Sequence, residues 1–79
     1  MSMTTDKEWQ DRVKGVLKAE LKRKGVSYAD LAAKLTKMGI PETERNISNK
    51  LSRGSFTAVF FVQCLLAIGV HTVRLHDAD

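Results

Sequence analysis

The side chains best equipped for chemistry lie between Thr43 and Gly54, in the run TERNISNKLSRG. Arg45, Asn46, Asn49, Lys50 and Arg53 are of the types that meet base edges and phosphates: Arg can fork onto guanine O6 and N7, and Asn can bond adenine twice. Only Ile47 and Leu51 are strongly apolar here, spaced i and i+4. A helix over this stretch therefore buries one narrow stripe and turns its other faces to water. That is little apolar burial for a purely structural element.

Other reactive groups stand alone. Cys64 sits in the most hydrophobic segment with no histidine at local spacing and reads as a small core residue. His71 and His76 are an odd number apart, so on a strand they point to opposite faces and cannot share a metal. The glycines are scattered as helix stops and form no phosphate-cradling loop, and Ser27, Ser48, Ser52 and Ser55 have no neighbouring histidine to make any of them a nucleophile. The chain is expected not to be an enzyme, and to need no metal, cofactor or small-molecule substrate.

Two short helical patterns frame the polar run. The first begins at Ser27, with Asp30 completing a capping box, and places Leu31, Ala32, Leu35 and Met38 on one face. Gly39 and Pro41 stop it. The second opens at Thr43 or Glu42, with Glu44 favourable in its first turn, and closes at Arg53 and Gly54. Before them, Thr4 or Thr5 to Lys24 reads as a long amphipathic helix, acidic at its start and basic at its end, with Trp9, Val13, Val16, Leu17 and Leu21 on the core face. Trp9 is expected to lid the core, and the row Lys14, Lys18, Lys22 to be a solvated flank. After them, Ala58 to Ile68 forms a helix apolar around nearly its whole circumference. Such a helix needs cover on more than one side. A second copy of the chain is the expected cover, the chain's own ends the alternative. His71 to His76 alternates like a short strand but has no second strand pattern to join, so it either pairs with its symmetry mate or is an irregular terminus.

Leu31 and Ala32, Gly39, the run Ile47 to Gly54 and the later Ala67-Ile68-Gly69-Val70 together resemble the Cro/CI-type helix-turn-helix family, the lambda-repressor-like (XRE-like) domains. The likeness covers roughly Val13 to Val70. Ser-Arg-Gly followed by a helix containing Phe60 and Phe61 is also similar to a small bacterial domain family of unknown function. The first resemblance implies an all-α fold of four or five helices, with a short C-terminal strand as an option. It also implies that the helix at about 43–52 enters the DNA major groove. By position in the matching motif, Glu44, Arg45, Asn46 and Asn49 become candidates for base edges, Glu44 either accepting from cytosine N4 or serving only the helix terminus. Ser27, Tyr28, Lys50, Arg53 and Ser55 become candidates for the phosphate backbone. The chain departs from the family pattern in two places: Tyr28 stands where many relatives carry a phosphate-gripping Gln, and the connection from Gly39 to Ile47 is longer than usual.

Length and charge agree with this reading. Seventy-nine residues make one domain, with a core at about 5–70 and a tail at 71–79. The net charge of +4 is unevenly placed. Up to Arg53, twelve Lys and Arg stand against seven Asp and Glu; beyond it, one Arg stands against two Asp. The positive field thus belongs to the first three helices and suits a polyanion, although a merely solubilising surface would look the same. No apolar run is long enough to cross a bilayer, no hydrophobic signal segment opens the chain, and one cysteine forms no internal disulfide, so a cytoplasmic location is expected. The expected function is a sequence-specific, dimeric, repressor-type regulator that binds double-stranded DNA. The alternatives are an interaction module that keeps the fold without specific DNA binding, and a nonspecific nucleic-acid binder.

Overall fold

The computed structural model describes residues 5–75, which form four helices and no strand: α1 (Asp6–Lys24), α2 (Tyr28–Lys37), α3 (Glu44–Arg53) and α4 (Ala58–Ala67). A hydroxyl residue starts each one. Thr5, Ser27, Thr43 and Thr57 are extended N-caps whose side-chain oxygens accept the backbone N–H three residues on, satisfying a donor the helix itself cannot. Thr5 with Glu8 and Ser27 with Asp30 complete reciprocal capping boxes.

Three helices also end alike. The N–H groups of Val26, Ile40 and Val70 donate to the carbonyls of Leu21, Leu35 and Leu65, each at 2.9 Å, across a glycine. In each case a leucine is followed five residues later by Val or Ile, so the bond that closes the helix also returns an apolar side chain to the core. The end of α3 differs. Gly54 N–H donates to the Lys50 carbonyl, and polar Ser55 follows. Gly54 has φ +71, and a Cβ on it would lie 2.7 Å from the carbonyl oxygen of Gln10, so this end of α3 abuts the backbone of α1.

α1 and α2 each pack on both α3 and α4. Leu17 and Leu21 of α1, Leu31, Ala32 and Leu35 of α2, Ile47 and Leu51 of α3, and Phe60, Cys64 and Leu65 of α4 meet in one core, closed by Ile68 and Val70. α4 buries only that side. Its opposite face leaves Val59, Val62 and Leu66 exposed at 66%, 51% and 53%. Val70 to Val73 fold against the C-terminal half of α4 without covering this stripe.

Several expectations are corrected. Trp9 is not a core lid, being 54% exposed, and Val13 is exposed as well. The first turns of α1 run beside Gly54 to Ala58, where Trp9 and Val13 line an open apolar groove with Phe56 and Phe61 instead of entering the core. Met38, the C-cap of α2, is exposed although it continues the face of Leu31 and Leu35. Residues 71–75 are irregular rather than a strand, with Val73 half-buried against the core. Thr4, His76 and the remainder of the tail lie outside the described residues.

Gly54→Ala is expected to lower stability by about 2–3 kcal/mol, because it adds a clash with Gln10 to the cost of a left-handed alanine. Gly39→Ala, at φ +86 with open space around it, should cost only about 1–2 kcal/mol. Urea unfolding of the two variants checks the difference.

Candidate functional site

α3 is fastened at few points. Ile47 and Leu51 are its buried side chains, one helical turn apart and both fully enclosed. On the opposite side, Arg45, Asn49, Ser52 and Arg53 are exposed, with Asn46 exposed on one flank and Glu44 exposed in the first turn. Among the described residues, Arg45, Asn49 and Arg53 make no side-chain hydrogen bond or ion pair. The helix therefore presents a ridge of guanidinium and amide groups with unused donors, and Asn49 lies almost diametrically opposite the buried stripe.

Polar fastenings supplement the two apolar anchors. Lys14 of α1 donates from Nζ to the carbonyl of Ser52 at 3.2 Å, placing a cation on the negative end of α3. Lys14 thus departs from the solvated row expected for it, while Lys18 and Lys22 remain exposed. At the other end, Glu42 lies just before the Thr43 cap. Its side chain is only 5% exposed. Oε2 accepts from Lys50 Nζ at 2.8 Å, Oε1 accepts from the Thr43 N–H at 3.2 Å, and the Glu42 carbonyl accepts weakly from Thr36 of α2 at 3.5 Å. The Lys50 ammonium also sits 4.4 Å from the centre of the Phe60 ring on α4.

Electrostatics follow from this geometry. Burial pushes the Glu42 carboxyl up, but hydrogen bonds from Lys50 and the Thr43 N–H, the Lys50 charge and the nearby Asn46 amide outweigh it, and its pKa falls below the ordinary value. Cys64 lies within reach of the same pair. Burial first, and the Glu42 charge second, push its thiol up to about 12 against the opposing effect of Lys50, so it stays protonated at neutral pH. Among the described residues no group of three or more His, Cys, Asp or Glu is placed to hold a metal ion.

The residues named from sequence divide accordingly. Arg45, Asn49 and Arg53 stand free on the ridge, and Glu44 is exposed in the first turn. Asn46 is exposed, its backbone N–H donating to the Thr43 cap. Ser27 is committed to capping α2, and Tyr28 is half-buried against the core. Ser55 is exposed just beyond α3. Lys50 differs from the others in that its charge is matched by Glu42 within the molecule. Sequence reasoning missed Glu42 as its partner because no periodicity relates a loop residue to a helical residue eight positions later. Buried Glu20, which meets Arg23 at 3.5 Å, was missed as well; its i, i+3 spacing was the available signal.

Residues 9–73 match the family described as "Domain of unknown function (DUF6471)". The chain belongs to that family. The resemblance to a family of unknown function is thereby borne out, and the DUF6471 description attaches no activity to the ridge on α3. No curated protein and no solved structure matches the chain. No described helix of this DUF6471 domain is long and apolar enough to cross a membrane.

Because the folded pKa of Glu42 is depressed below its ordinary 4.5, its ion pair contributes fully above that pH and is lost as pH falls through the lower folded value. Glu42→Gln is expected to cost about 1–3 kcal/mol at pH 7 and much less at pH 3. Urea titrations of both proteins at the two pH values measure the difference.

Proposed function

We propose that this DUF6471 domain is a sequence-specific DNA-binding protein, a small dimeric regulator of repressor type. In this reading α2 and α3 are the two helices of a lambda-repressor-like helix-turn-helix, and α3 lies in the major groove of double-stranded DNA. The observation that carries it is the ridge of Arg45, Asn49 and Arg53, which faces solvent while only Ile47 and Leu51 hold the helix down. Arg45 and Asn49 read base edges, with Asn46 and Glu44 flanking them. Arg53, Ser55, Ser27 and Tyr28 approach the sugar-phosphate backbone and set register. The excess of positive charge up to Arg53 attracts the duplex and makes binding fall with salt.

Dimerisation follows from α4. Val59, Val62 and Leu66 form an exposed stripe on a helix that carries no charged residue, and a second copy would bury it symmetrically. A dimer of this kind reads a palindrome whose half-sites lie about one helical turn apart. The same stripe favours a second reading, an interaction module that uses α4 to hold another protein and reads no DNA.

Selection of bound duplexes from a random pool separates these. The regulator reading expects an enriched palindromic motif, and Arg45→Ala and Asn49→Ala each losing about 1–3 kcal/mol of discrimination at one base position. Equal binding to every fragment would leave only a nonspecific binder, and no binding at physiological salt would favour the interaction module. For assembly, light scattering should report a dimer at micromolar concentration and a folded monomer for Val62→Asp, since a half-exposed position tolerates the charge until a partner must cover it. A monomeric parent at high micromolar concentration would defeat this role for α4.

A further inference from the structure

α1 and α2 each pack on both α3 and α4, and α3 meets α4 through side chains, apolar ones in the shared core and one polar tie. Lys50 makes it. Its ammonium lies over the Phe60 ring of α4, and the near-buried Glu42 carboxylate holds it there at 2.8 Å while also accepting from the backbone N–H of Thr43 at the start of α3. Phe60 is in turn braced edge-on by Phe56, with ring centres 5.4 Å apart. One carboxylate therefore joins the N-cap of α3, the second turn of α3 and the buried face of α4. We propose that Glu42 and Lys50 are positioning residues that fix the angle of α3 against α4, and that Lys50 does this in place of contacting nucleic acid.

Three features of the site support the assignment. A helix with only two enclosed apolar side chains can rock about that line, and Ile47 and Leu51 leave this rotation unopposed. Lys14 and the close approach of Gly54 to Gln10 steady the C-terminal end of α3 against α1, and among the described residues the polar contacts that tie its start to α2 and to Lys50 are those of Glu42. A near-buried carboxylate that loses its ammonium is also costly, which gives the pair one preferred geometry rather than several.

The consequence for recognition rests on the DNA-binding reading, but the clamp can be tested without it. Variants Glu42→Gln and Lys50→Met each remove one charge while keeping similar volume, and Lys50→Arg keeps the charge and the stacking over Phe60. Amide hydrogen exchange of the full chain at pH 7 should show protection across Glu44–Arg53 falling about tenfold more than across the core of α1 in both neutral variants, with Lys50→Arg close to the parent. Equal loss of protection in all four helices, or none in α3, would overturn the proposal. On a duplex selected by the parent, Glu42→Gln and Lys50→Met should each lower the ratio of selected to random-sequence affinity about tenfold, and the double variant should lower it no further. The slope of affinity against salt should stay unchanged. A slope reduced by about one in Lys50→Met, or tighter binding by Glu42→Gln, would instead mean that Lys50 grips a phosphate and would overturn the proposal. A parent that selects no duplex would end the DNA-binding reading and leave hydrogen exchange to decide the clamp.

Discussion

The structure turns on how little apolar surface holds α3. Ile47 and Leu51 are enclosed, and every other residue of that helix is at least partly open to water. Two side chains of this size contribute a few kcal/mol between them, enough to dock a ten-residue helix but not to define its direction. Direction comes from polar groups: a lysine from α1 on the last carbonyls, a glycine that lets α3 touch the backbone of α1, and a near-buried carboxylate at the start. Sparse burial and an accessible polar ridge are the same fact seen from two sides. A helix that surrendered more of its surface to the core would have less to offer a ligand.

α4 is built on the opposite plan. It has no charged residue, it supplies Phe60, Cys64 and Leu65 to the core, and it still leaves a valine and leucine stripe facing water. Solvating that stripe is unfavourable in proportion to its area, so a partner that covers it gains the hydrophobic term without first breaking any salt bridge. The two halves of the molecule thus differ in the forces they make available. The first three helices carry the positive field and the hydrogen-bonding groups; the fourth carries exposed apolar area. The Lys50 ammonium, lying over Phe60 and paired with Glu42, is where these halves meet.

Much of this was legible in the residues because it depends on neighbours in sequence. Three of the four hydroxyl caps, the Ser27–Asp30 capping box, the glycine stops and the apolar periods of α2 and α3 act over three to five positions, and the helices begin and end within a residue or two of where those signals lie. The polar ridge was legible for the same reason, since a helix with one apolar stripe has only one way to face a core. Three matters were not. Trp9 and Val13 obeyed the right period and were still exposed, because the period sets which face a residue is on and not how closely the fold packs against that face. For residues 71–75 the sequence left a paired strand and an irregular terminus both open, and the fold takes the irregular form. Glu42 read only as an alternative start for α3, and Lys14 as part of a solvated row, until the fold brought Lys50 to one and the end of α3 to the other.

By itself, then, the order of residues determined where four helices start and stop, which stripe of each is apolar, and which side chains on the third remain available for polar recognition. All of these are set by hydrogen bonds and periodicities within one turn or two. Tertiary structure alone decided which charges are spent inside the molecule and which remain outside, and which apolar residues are left uncovered. Those outcomes depend on distances between segments far apart in the chain, and a lysine has the same local spacing whether it ends beside a buried carboxylate or in open water.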